Sequence, residues 1–195
     1  MTDVGIVLTP RDGVRWRFDP GALFLEFLLT GGPGDLAVWD RLHQPDDLRE
    51  WVGASRLALA GAGVGVDPAG VGSARELRDA LWRATRAALA GSDASAADRS
   101  TIERAADAPP LVPTWGSGWQ TPTDAAAVLS TVARDAMVVL GRAGDRLREC
   151  DADDCRLVFL DTSRPGGRRW CSMRRCGNRH KVREHRTRHQ EVDHE

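Results

Sequence analysis

The first 149 residues of this 195-residue chain contain no cysteine; all four cysteines fall in the next 27 residues. No run of 18 apolar residues occurs, and the opening MTDVGIVLTPRDG has no basic segment followed by a long apolar one. Neither a membrane-spanning helix nor a secretory leader is therefore expected, no membrane partner is implied, and the expected location is the cytoplasm. A glycine-rich phosphate loop, a nucleophile elbow and a His-Glu-His metal motif are all missing, which argues against an enzyme. There is also no internal repeat or low-complexity tract. In a reducing compartment, clustered cysteines read as metal ligands rather than disulfides.

What is present is a strong asymmetry of charge. The formal net charge is −1, but residues 156–189 carry eleven basic side chains against two acidic ones, a net +9, and the remainder carries −10. An acidic body with a basic end is the layout of a folded module tethered to a binder of polyanions. With 42% apolar residues the body has enough material for a core. The reading is of two domains: 1–144, an α+β fold that is mainly helical with a small β-hairpin, and 145–195, with the junction at Gly144-Asp145.

Residues 14–18 (VRWRF) alternate apolar and basic side chains and predict a short strand. Residues 22–29 (ALFLEFLL) predict a helix buried on most faces, with Glu26 the single exception. Pro45-Asp46-Asp47 opens another helix. The glycine-rich stretch 61–72 reads as a loop, after which Ser73-Ala74-Arg75-Glu76 has capping-box spacing and predicts a helix start. Ser95 opens a further helix through Ala106. Residues 111–115 and 119–121 read as a hairpin around Gly116-Ser117-Gly118, and Thr123-Asp124 starts a long helix to about Leu140, ended by Gly141.

The cysteines are spaced Cys150-x4-Cys155-x15-Cys171-x4-Cys176, two short loops that each supply two sulfurs. Tetrahedral structural zinc is satisfied by this pattern. Between the loops, 156–160 and 168–170 read as two strands joined by a turn at 163–167, and a helix is expected from Cys176 to about residue 189. Knuckle, hairpin and helix make a treble-clef-like zinc finger with four cysteine ligands. Its own core is thin: Leu147, Leu157, Phe159, Leu160, Trp170, Met173 and Val182. Zinc is therefore what decides its folding, adding on the order of 10 kcal/mol. A rival ligand set, Cys171, Cys176, His185 and His189, uses two histidines on one helix face but leaves Cys150 and Cys155 orphaned.

Cys176-Gly177-Asn178-Arg179, together with residues 159–164 (FLDTSR) and 169–173 (RWCSM), makes the last segment closely resemble the CGNR zinc finger. The preceding region resembles the ABATE domain, through residues 25–30 (LEFLLT) and the helix start at Pro45-Asp46-Asp47-Leu48. The resemblance implies a stress-induced bacterial transcription regulator that binds DNA. The family's first helix commonly reads Leu-Asp-Phe-x-Asn-Thr. Here Glu26 replaces the aspartate and Leu29 the asparagine, so any ligand contact of that asparagine is absent.

On the last helix Arg175, Arg179, Arg183 and Arg186 recur at helical spacing with Val182, giving a basic stripe for the major groove. Asn178 lies beside it, and Arg164, Arg168 and Arg169 on the hairpin are placed to grip phosphates. Six of the seven tryptophans lie in the acidic part (Trp16, Trp39, Trp51, Trp82, Trp115, Trp119). Either they form an ordinary core or some line a pocket for a small-molecule effector. Glu26, Thr30, Trp51 and Trp115 are the pocket candidates. A homodimer would supply the surface that one small module lacks. The alternative function is a protein-interaction adaptor whose arginine surface meets an acidic partner, with zinc purely structural.

Overall fold

The computed structural model describes residues 4–9, 13–116 and 118–183. The chain opens with an antiparallel hairpin of β1 (Ile6–Leu8) and β2 (Trp16–Phe18), with Ile6 opposite Phe18. Helix α1 (Leu23–Leu28) follows, and all six of its residues are buried, Glu26 included. The all-round apolar run thus becomes the central helix of the body. Helices α2 (Pro45–Ala54), the long α3 (Pro68–Leu89) and α5 (Ala125–Leu140) pack against it, and α4 (Ala96–Ala106) packs against α3 and α5. A short parallel pair, β3 (Val64–Gly65) with β4 (Thr123–Asp124), ties the entry of α3 to the entry of α5.

Local chemistry explains the helix starts. Pro45 stands in the first turn of α2, and the Asp47 carboxylate accepts the His43 and Gln44 amides at 2.7 and 2.8 Å. Ser95 accepts the Asp98 amide and Asp124 the Ala127 amide, as the spacing predicts. Helix α3 begins six residues, nearly two turns, earlier than its serine suggests. Asp67 caps it by accepting the Gly70 amide at 2.7 Å, Pro68 sits at its first position, and Val71 is already buried. Much of the glycine-rich stretch is therefore helix. Gly70 lets the helix start approach α5 closely, since a Cβ would stand 3.0 Å from the Ala125 Cβ. The hairpin expected at 111–121 is reduced to one bridge, Pro113 to Trp119, with Trp115 fully exposed beyond it.

In the cysteine-bearing region, β5 (Leu147–Glu149) pairs antiparallel with β6 (Val158–Leu160), Arg148 opposite Phe159. This corrects the expected hairpin: the partner of β6 is the strand before the first cysteine, not 168–170. The cause is Asp161. Its buried carboxylate accepts the Ser163 and Arg168 amides at 2.9 and 2.8 Å, closing 161–168 into a compact loop. The returning segment then bonds the knuckle instead, Asp151 N–H to the Arg169 carbonyl at 3.0 Å. A π turn (Met173–Gly177) runs into helical residues 178–183, so the last helix begins before Cys176 rather than at it. The wider turn brings the Cys171 and Cys176 sulfurs to one side. At Gly177 a Cβ would lie 2.9 Å from the Met173 sulfur and 3.2 Å from the Trp170 ring, so a larger residue would displace the Met173 side chain.

Two apolar clusters result. The main one spans the helices and takes in Leu147 and Val158. The second joins Phe159, Trp170, Ala152 and three of the cysteines to Phe18, donated by the N-terminal hairpin. Met173 and Val182, expected in the core, are half exposed; Phe18 replaces them. Among the described residues no helix is long and apolar enough to cross a membrane.

Phe18 is the fully buried side chain that the body gives to the cysteine cluster, with Leu8, Trp16 and Leu29 partly buried around it. Phe18→Ala should cost about 3–5 kcal/mol in denaturant unfolding and speed loss of bound zinc to a chelator. The fully exposed Trp115→Ala should stay within about 0.5 kcal/mol of the parent.

Candidate metal centre

Cys150 follows β5, Cys155 closes the knuckle, Cys171 ends the returning segment, and Cys176 lies inside the π turn. Their four sulfurs all lie within 4.8 Å of one another, with Cys155 to Cys171 at 3.7 Å and Cys171 to Cys176 at 3.4 Å. A tetrahedral zinc with Zn–S bonds of about 2.3 Å sets its sulfurs about 3.8 Å apart, so the cluster fits the ion. The Cys171 amide points at the Cys150 sulfur at 3.4 Å, as a thiolate acceptor requires. Among the described residues this is the one cluster of metal-ligand groups. The rival histidines, His185 and His189, lie outside the described residues.

The electrostatics call for a cation. Hydrogen bonding from the Cys155 and Cys171 thiols drives Cys150 far below the ordinary thiol range. As donor in that bond Cys155 is pushed up to about 12, and its own donation to Cys150 and Cys155 drives Cys171 up as well. Four sulfurs this close cannot all ionise side by side unless a divalent ion offsets them.

The arginines around the centre divide into two sets. Arg168 is turned inward: it donates at 3.0 Å to the Trp170 carbonyl, donates to the Cys171 carbonyl, and lies 4.3 Å over the Phe159 ring. Arg169 pairs with Asp151 at 2.7 Å and covers Trp170. Arg175 donates to the Val14 carbonyl at 2.9 Å and lies over Trp16. Arg179 donates to the Cys176 sulfur at 3.2 Å and to Asp154 at 2.8 Å, and Arg183 stands 3.6 Å from Asp153. The acidic knuckle, with Asp151, Asp153 and Asp154, thus engages Arg169, Arg183 and Arg179. Arg164, Arg174, Asn178 and Lys181 face solvent. Arg186 lies outside the described residues. Arg174 and Lys181, counted in the sequence only as charge, are the outward pair; their offset from Asn178 by four and three residues was the available signal.

Glu26, Thr30 and Trp51 are brought together on one cavity of about 720 Å³. The Glu26 carboxylate accepts the Arg56 amide at 2.8 Å, with the Arg56 guanidinium 3.1 Å from its other oxygen. Burial holds this carboxyl above its ordinary range, against the pull of Arg56. The Trp51 indole donates to the Glu26 carbonyl, and Thr30 donates to the Phe27 carbonyl. Trp115 does not line this cavity.

A family model for the CGNR zinc finger matches residues 146–189. A second, for the ABATE domain, with the description "Putative stress-induced transcription regulator", matches residues 21–143. No curated protein matches the chain.

Arg179 neutralises part of the charge on the sulfurs. Arg179→Ala should weaken zinc retention about 10–100-fold in chelator competition, while Arg164→Ala leaves it unchanged. Asp161 is held down to about 2 by hydrogen bonding from Ser163, the Arg168 amide and the nearby Arg148. A carboxylate with a depressed folded pKa stabilises fully above its unfolded value, 3.8, and loses that contribution only as pH falls toward 2. The drop in Tm caused by Asp161→Asn should therefore be the same at neutral and at mildly alkaline pH.

Proposed function

From membership of the ABATE family, to which this chain belongs, and from the CGNR zinc finger it also carries, we propose that the protein is a zinc-dependent, DNA-binding transcription regulator without catalytic activity, working in the cytoplasm. The observation that carries this reading is the outward face of the metal-held helical segment. Arg174, Asn178 and Lys181 are exposed along one side of it, with Arg164 exposed on the neighbouring loop. Rigid zinc ligation at Cys176 fixes that face, so its cations need little ordering to meet phosphates while Asn178 reaches base edges. Arg175, Arg179 and Arg183 support the face from behind, through Val14, Cys176, Asp154 and Asp153. A four-sulfur site has no open position for a substrate, which supports a structural ion. In this reading the ABATE region senses a small molecule, and two copies bind together to gain surface.

A protein-interaction adaptor is the second reading. Trp115, fully exposed, and Val112 beside it offer an apolar contact on the body, far from any role in the core.

For DNA, the logarithm of the binding constant should fall linearly with that of salt, about −0.9 per phosphate contacted. In anisotropy titrations Arg174→Ala with Lys181→Ala should reduce that slope by about 2, with zinc content intact. Unchanged affinity and slope would remove the proposed face and favour the adaptor.

A further inference from the structure

A second cavity, of about 510 Å³, lies between the body and the metal centre, within the size range of small-molecule sites. Its walls are mostly apolar. Trp16 and Leu29 form one side, and Val38 and Trp39 stand on the 3-10 turn Gly34–Trp39. None of the six residues of that turn is buried, and Val38 and Trp39 are 69% and 43% exposed. The turn thus holds large apolar side chains at a cavity mouth without committing them to the core. The floor belongs to the metal centre, with Cys155, Cys171 and Cys176.

The charged lining groups separate by partner. Asp154 and Arg179 satisfy each other, Arg175 is held by Val14 and Trp16, and Arg156 stands 3.5 Å from Glu149. That leaves Asp35 and Arg41. Both are exposed lining residues, and among the described residues the side chain of neither makes an ion pair or hydrogen bond. An apolar cleft whose two unpaired charges are one acid and one base is complementary to a molecule with an apolar body, one cation and one anion.

We infer that this cleft binds a free amino acid with an aromatic or branched aliphatic side chain, the side chain against Trp16, Leu29, Val38 and Trp39, and the ammonium and carboxylate directed to Asp35 and Arg41. This gives the proposed sensing function a place and a ligand class, and it rests on that reading. The site also supplies a route to the nucleic-acid face. Arg175, in the turn that carries Cys176, forms part of the wall by lying 5.4 Å over Trp16. A ligand touching both couples cavity occupancy to the pose of that turn, and the coupling is reciprocal.

The test uses the full-length, zinc-loaded chain, with L-phenylalanine and L-leucine as probes. The controls are 3-phenylpropionate, which lacks the ammonium, and phenethylamine, which lacks the carboxylate. Both amino acids should give a saturable change in tryptophan fluorescence and a rise in Tm, and each control should bind about tenfold more weakly. Asp35→Ala and Arg41→Ala should each cost about tenfold, and Val38→Asp should abolish the response with zinc content unchanged. No saturable response to either amino acid, equal binding of the two controls, or a response that survives Val38→Asp would overturn the site. Stabilisation by a different compound, lost in Glu26→Gln and kept in Val38→Asp, would overturn it while leaving small-molecule sensing intact. DNA affinity of the ligand-free chain, measured in parallel, reports separately on the nucleic-acid reading.

Discussion

Four sulfurs gathered within 4.8 Å can all ionise only around a cation, and most of the cysteine-bearing region has a shape that serves that requirement. The knuckle must close so that Cys155 turns back toward Cys150. The chain must return after Asp161 to deliver Cys171, and the following turn must widen to present Cys176 on the same side. Each of these is an irregular piece of backbone that a module this small cannot hold by apolar burial alone, because Phe159 and Trp170 are its main large buried side chains. Metal ligation contributes on the order of 10 kcal/mol to such a fold, which exceeds what these two rings supply. Four thiolates leave about two negative charges on the centre, and Arg179 is the side chain that answers them directly, at 3.2 Å from Cys176.

The same constraint divides the basic segment into two sets of residues. An arginine facing the metal is near sulfur, near the acidic knuckle or near a backbone carbonyl, and it is engaged there: Arg168, Arg169, Arg175 and Arg179 all brace the module. One facing outward has nothing to brace and keeps its charge available. The acidic residues Asp151, Asp153 and Asp154 have partners of their own: they pair with Arg169, Arg183 and Arg179.

The helices of the body are largely legible because their signals are local. Pro45 with Asp47, Ser95 and Asp124 each cap the helix that their spacing announces. The start of α3 is harder to read because two cap candidates compete there, and Asp67-Pro68 combines a side-chain acceptor with a fixed φ, whereas Ser73 offers a hydroxyl alone. The four ligands are legible because zinc chemistry imposes paired thiols. The strand pairing is not: β6 has two possible neighbours of similar length, and the choice is made by Asp161, a buried carboxylate whose reach across to Arg168 leaves no trace in periodicity. The arginine stripe has helical spacing, but spacing defines a face without saying what lies against it, and here Arg179 and Arg183 meet the acidic knuckle.

Phe18 and Trp16 show why body and metal centre are best understood together. They stand two apart on β2, so they share a face of the hairpin. Phe18 is buried among the cysteines and Phe159, and Trp16 meets Arg175 at the edge of the cleft. One strand of the body therefore supplies both a core residue of the metal module and a wall of the cavity beside it. A rigid shift of that strand cannot reach one without the other, because a close-packed contact transmits displacement instead of absorbing it. The sensing proposed above then needs no long pathway through the helices: Trp16 is already one side chain away from the turn that carries Cys176.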